Sequence, residues 1–342
     1  MEQGETTGVI GRAPGVRVSL VVALGLIVAA LSVGALAIGP FALSPAETLV
    51  ALFGGGEEQA QVVVQNIRLP RVAAALLVGA ALAAAGASYQ TLFRNPLVSP
   101  DILGVSAGAG LGAVIGIFLS LPVAFIQLFA FAGGLAAVVL VTVVAAAVRN
   151  TDRILALVLT GVVIGALAGA ATSLLKVLAD PYDQLPAITF WLLGSLASVT
   201  TTDILPALPA VLIGLVPLVL LRWRINVLSL GDDEARALGV EAGRVRFIVI
   251  AAATLITASV TALAGVVGWV GLVIPHIARM IVGPSFARLL PVSAIIGAGY
   301  LLVVDTLART IGAVEIPLGI LTAVIGAPFF IWLLASGRRG WS

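Results

Sequence analysis

The chain has no cysteine, one histidine (His276) and one lysine (Lys176) among 342 residues. Without cysteine there is no disulfide, no thiolate catalysis and no Cys-ligated zinc or iron–sulfur centre. A single histidine excludes a multi-histidine metal site. The lone lysine is followed by Val177, so the G-x-x-x-x-G-K-[ST] loop is absent and nucleotide is not hydrolysed in that way. Charge is also scarce, at 10% of residues. The alternating segments of about 10 residues that mark a membrane β-barrel are missing.

What is present is apolar. The sequence is 61% hydrophobic with a mean hydropathy of +1.19, where a soluble domain has roughly 45–50%. Apolar runs recur near 18–38, 72–92, 97–119, 123–148, 154–178, 204–221, 245–267, 269–282, 289–307 and 317–335. Runs of about 20 residues cross a hydrocarbon core of roughly 30 Å, so the fold class is an all-α polytopic membrane protein with about ten spans. The eighth run is short and carries Pro275, which predicts a break there. The segment 186–198 is short and holds Phe190 and Trp191, which suits a helix lying at an interface. The first run follows Arg12 and Arg17 and exceeds the 7–15 residues of a signal-peptide core. It reads as an uncleaved span. Residues 1–17 and 336–342 then form tails, around a transmembrane domain at 18–335.

Ten spans with the N-terminus inside place 14 of the 18 Lys and Arg on the cytoplasmic side, together with both termini. The outer exceptions are Arg68, Arg71, Lys176 and Arg309. Asp305 and Arg309 stand four apart and can pair on one helical face. Nearly every charge falls at a span end, which argues against an ion-coupled carrier with intramembrane ionisable groups. Gly104, Gly108, Gly112 and Gly116 form one small-residue face, and Gly161, Gly165 and Gly169 another; such faces let helices approach closely. The polar break after the second span (94–100) and the break after the seventh at Gly268 suggest a weak inverted repeat.

Nine of the charged residues lie in one island, 222–246. Ser229 or Asp232 is a candidate N-cap. Asp232-Asp233-Glu234 suit a helix N-terminus, and Gly239 is a stop signal. Leu228, Leu230, Ala235 and Leu238 give a small apolar face. A short capped amphipathic helix in water suits docking on a partner. The pattern Gly104-Val105-Ser106-Ala107-Gly108 matches G-x-S-x-G, and with His276 it sketches a rhomboid-like intramembrane protease. Ser106 reads better as part of the glycine packing face.

Five ordered stretches carry a resemblance. They are QNIRLPR (65–71), RNPLVSPDILG (94–104), GLVIPHIAR (271–279), EIPLG (315–319) and GAPFF (326–330). Together they resemble the FecCD-type permeases of type II ABC importers, which take up ferric siderophores, haem and vitamin B12; relatives also handle molybdate. The resemblance implies ten spans around a central pathway and a second permease copy, as a homodimer or with a sister permease. It also implies two ATP-binding subunits below and a periplasmic or lipid-anchored binding protein above. Such a chain sits in a bacterial or archaeal cytoplasmic membrane among lipids. It binds no cofactor, metal or nucleic acid itself and is not an enzyme; ATP and Mg belong to the partner. Carried over residue by residue, Leu230, Gly231, Asp232, Glu234, Ala235, Leu238 and Gly239 couple to the ATPase. Arg68, Arg71 and Arg309 receive carboxylates of the binding protein. Asn95, Leu97, Thr151 and Asp152 fall at the cytoplasmic gates, Asp152 replacing the small neutral residue expected. The wording NPLVSPDILG leans towards a ferric siderophore.

Overall fold

Apolar run length dictates the architecture. In this computed structural model, which describes residues 18–148 and 153–335, the expected runs are helical and no strand occurs among the described residues. Helix α1 (Val18–Ala37) is followed by the short α2 (Pro45–Leu52) and α3 (Glu58–Gln61). Ser44 and Glu47 close a capping box on α2, and its backbone and hydroxyl hydrogen bonds hold the Glu47 carboxyl below its usual range. Helix α3 widens into a π-helical turn at Val62–Arg68 and runs on as α4 (Leu69–Leu92). The widening precedes Pro70, whose ring cannot donate to the regular ladder.

Helix α5 (Val105–Phe118) and α6 (Val123–Ala147) form an antiparallel hairpin, followed by α7 (Arg153–Leu178). The ten-residue α8 (Gln184–Leu193) is too short to cross a membrane. Helix α9 (Thr201–Leu220) leads into the island helices α10 (Arg222–Leu228) and α11 (Asp232–Ala237). Then come α12 (Ala242–Ala264), α13 (Val270–Val282), α14 (Phe286–Ala308) and α15 (Leu318–Ala335). Among the described residues, seven helical segments are long and apolar enough to cross a membrane, α4 counted with its N-terminal extension; α5, α13 and α15 complete the ten runs.

Helices α4 and α12 are buried through most of their length and form the centre of the bundle. Their small residues set the packing. A Cβ added at Gly79 on α4 would lie 2.2 Å from the Gly297 carbonyl oxygen of α14, and one at Gly86 would lie 1.9 Å from that of Gly271 on α13. Only hydrogen fits at these crossings. The hairpin uses the first expected glycine face: Gly108 meets Gly133 and Ala137, and Gly112 meets the Phe129 carbonyl. Of the second face, Gly161 meets the Ile102 carbonyl closely, whereas Gly169 has nothing within 4 Å.

Two expected spans need correction. The run 97–119 is not one helix. Pro100 interrupts it, a 3-10 turn covers Pro100–Leu103, and Gly104 at φ 75° turns the chain into α5. Conversely, Pro275 lies inside a continuous α13 and does not break it.

Candidate functional site

Three places hold the chemistry of this apolar bundle: the island, the opposite end where the arginines gather, and a non-helical stretch between α12 and α13.

In the island, neither Ser229 nor Asp232 caps α11. The N-cap is Gly231, at φ 142°, without a side-chain hydrogen bond. Ser229 donates instead to the Asn226 carbonyl (2.6 Å), and Asp232 accepts from Arg246 of α12 (2.9 Å). The acidic first turn is present, and the stop at Gly239 is a Schellman motif, with φ 75° at Gly239. In it the Gly239 N–H donates to the Arg236 carbonyl and the Val240 N–H to that of Ala235. The apolar face divides. Leu228 and Ala235 are buried, while Leu230 and Leu238 stand 60% and 53% exposed. The result is a small knob with two uncovered leucines beside the exposed Glu234. It is tied into the bundle at two points: Arg246 to Asp232, and Asn226 to Ser285 and the N–H of Phe286 at the start of α14.

At the other end, Arg68, Arg71 and Arg309 come together, but they are buried (3%, 6% and 8% exposed). The fork of Arg71 is filled twice. Its Nε meets both oxygens of Asp305 at 2.9 Å, and its terminal nitrogens take both oxygens of Glu315 at 2.8 and 2.9 Å. Glu315 also accepts from Ser195 (3.2 Å), whose N–H donates to the Ala264 carbonyl (2.9 Å). One guanidinium thus joins α4, α14 and the segments next to α8, α12 and α15. The expected Asp305–Arg309 contact is present but long, at 3.9 Å. Arg309 donates to the carbonyl of Ala35, and Arg68 to those of Leu36, Ala37 and Phe41. Two cations therefore close the C-terminus of α1, where carbonyls and the helix dipole favour positive charge.

Asn95 is exposed in the break after α4, with its side-chain oxygen accepting from the N–H of the half-buried Leu97 (2.9 Å). Thr151 and Asp152 lie outside the described residues. Ser106 and His276 do not form a dyad. The Ser106 hydroxyl donates to the carboxylate of Asp101, and the His276 Nδ1 is buried without a partner.

The third place falls at the break expected after the seventh span. Arg71 and Gly86 are separated along α4 by roughly 22 Å. Ala264 is linked through Ser195 and Glu315 to the level of Arg71, yet Gly271 packs on Gly86. The chain therefore descends through much of the bundle between α12 and α13 without helix. It runs beside α15, with Val266 against Gly319 and Trp269 against Gly326. Among the described residues, no acceptor meets the N–H groups of Val266, Val267, Gly268 and Trp269. Val266, Gly268 and Trp269 are only half-buried. Irregular backbone at membrane depth persists where it is buried in protein or lines a watery cavity, and here the unpaired amides favour the second. The only sequence signal is the cluster Gly265, Gly268, Gly271 between two apolar runs.

Comparison with known proteins gives a consistent result. The model of the FecCD transport family matches residues 24–336. The Fe(3+)-citrate import system permease protein YfmE of Bacillus subtilis is 42% identical over 323 residues, covering 93% of this chain and 95% of that protein. The cobalamin import system permease protein BtuC of Halobacterium salinarum is 45% identical over 282 residues, covering 82% and 75%. A solved ABC transporter described as of metal-chelate type, in an inward-facing conformation, superposes with a TM-score of 0.85 at 37% identity, over 93% of this chain and 99% of that one.

Proposed function

The chain belongs to the FecCD transport family and is a permease subunit of an ABC importer, and on that premise we propose that it carries a ferric siderophore from a binding protein across the cytoplasmic membrane by alternating access. Haem and cobalamin are the next candidates. As an importer permease it is a transport subunit and works with separate ATPase and substrate-binding subunits. In the proposed complex, two permease copies enclose the pathway and two ATPase subunits bind below. ATP and Mg²⁺ are handled by those subunits.

The observation that carries the reading is the knob. Leu230 and Leu238 are exposed on a short helix that the fold ties to both α12 and α14. An apolar pair rimmed by Glu234, Asp233 and Arg236 suits a groove on a partner. Closure of the ATPase pair on nucleotide would push the knob, and the two ties would pass that displacement to α12 and α14. Leu230, Gly231, Asp232, Glu234, Ala235, Leu238 and Gly239 are the coupling residues in this reading. The island end faces the cytoplasm, with Asn95, Leu97, Thr151 and Asp152 at its gate, and the arginine end faces out.

Docking of the binding protein at Arg68, Arg71 and Arg309 proceeds by exchange of carboxylates. Glu315 is the more exposed partner of Arg71, so an incoming carboxylate displaces it there. That displacement frees the segment leading into α15.

Proteoliposomes holding this chain, its ATPase and its binding protein test the proposal. The expected result is ferric-siderophore uptake that requires ATP and survives an uncoupler. Uptake by the chain alone, or uptake abolished by the uncoupler with ATP present, rejects it.

A further inference from the structure

An apolar groove of about 580 Å³ runs between α6 and α12. Val139 and Val143 form one wall, and Phe247, Ala251 and Leu255 the other. Its polar lining residues are Thr142, Thr254 and Arg246. The two threonines are satisfied, Thr142 by the Val138 carbonyl and Thr254 by the Tyr89 hydroxyl. Arg246 differs. It is 7% exposed, its terminal nitrogen is bound to Asp232, and its Nε is buried with no partner. A buried donor left unmade costs free energy, so this atom marks a position for an acceptor.

The groove's length and depth say what kind of molecule brings that acceptor. From Gly243 to Leu255 the α12 wall rises roughly 18 Å, close to half of a hydrocarbon core of about 30 Å. It starts at the island end and stops near the mid-plane, as one leaflet does. At its island end the groove opens into a polar recess of about 610 Å³ that shares Gly243 and Arg246 with it. The recess is also lined by Asp232, Arg236 and Glu241. Helix α12 begins there with no side-chain cap, and among the described residues no acceptor meets the N–H groups of Ala242, Gly243 and Arg244. An open helix N-terminus beside a guanidinium is a phosphate site.

We propose that the groove and recess hold one glycerophospholipid of the island-end leaflet, an acyl chain lying between α6 and α12 and the phosphate between Arg246 Nε and the first turn of α12. Asp232 and Glu241 balance Arg236 and Arg246 in the recess, so the headgroup that fits carries an ammonium as well as a phosphate, as phosphatidylethanolamine does. Through Arg246 the lipid touches the residue that fastens α11 to the bundle. The site is independent of which cargo the chain carries.

The test is native mass spectrometry of the purified full chain in mild detergent, titrated with phosphatidylethanolamine and with phosphatidylglycerol. The wild type is expected to bind one phosphatidylethanolamine at least several-fold more tightly than phosphatidylglycerol. Val139→Trp, which fills the groove, should weaken that binding about ten-fold while circular dichroism and gel filtration stay unchanged. Arg246→Gln should weaken it similarly; if that variant does not fold, Val139→Trp carries the test alone. Equal lipid occupancy in wild type and Val139→Trp overturns the proposal, as does crosslinking of Val139→Cys to a second copy of the chain. Equal affinity for the two lipids overturns the headgroup assignment.

Discussion

At the scale of single residues, the most consequential arrangement is Arg71 shared between Asp305 and Glu315. Asp305 is fully buried, so removing its cation leaves a carboxylate with nowhere to go. Breaking a buried pair from one side costs about 3–5 kcal/mol. Arg71→Ala is therefore expected to lower the thermal midpoint of the purified chain sharply. Arg68→Ala, whose partners are neutral carbonyls, should cost about 1.5–3 kcal/mol. Thermal unfolding of both variants in one detergent checks the order, and a wild-type midpoint for Arg71→Ala would mean that the network holds nothing. Sequence reasoning singled out these arginines as cations that require a reason, because they break the charge bias. It could not supply the internal partners. The i,i+4 contact of Asp305 with Arg309 was legible and is the weaker one; Arg71 lies on another helix, and no local periodicity points to it.

At the scale of elements, helix crossings depend on which glycines face a backbone. Gly79→Ala is expected to destabilise by about 1–3 kcal/mol or more, since its Cβ would enter the Gly297 carbonyl and neither helix axis can yield cheaply. Gly169→Ala should be neutral or stabilise by up to about 1 kcal/mol, because its surroundings are open and alanine favours the helix. Melting curves of the two variants separate these outcomes, and equal shifts would refute the crossing argument. Runs of glycine every fourth residue were readable where one helix carries the face, as at 108–116, although Gly104 lies before the helix and faces α7. The tighter Gly79–Gly297 and Gly86–Gly271 crossings were not, since each places one glycine on each of two distant helices. Helix ends were misjudged for a related reason. Hydropathy continues through residues 97–104, but Pro100 and the left-handed Gly104 outweigh it. The island helix was legible from its acidic first turn and Gly239, yet its N-cap was not, because Asp232 is drawn away to Arg246.

At the scale of the whole molecule, ten apolar runs and their charge bias made the polytopic class legible, and the ordered motifs made the family legible. Leu238→Ala removes apolar surface from the knob without touching the bundle, as Leu238 is exposed. In the reconstituted complex it should cut transport per ATP hydrolysed several-fold while the permease keeps its wild-type melting temperature. Unchanged coupling in Leu238→Ala and in Glu234→Lys would remove the knob from the mechanism. Gly231→Ala should act more severely, because φ 142° disfavours a side chain. The stretch from Val266 to Trp269 has a consequence of its own. Its amides should take up deuterium within the time that the flanking turns of α12 and α13 stay protected; protection equal to that of the helices would show the stretch to be dry. A segment with no ladder of internal bonds bends without breaking any. A bend there leaves the ladders of α12 and α13 whole.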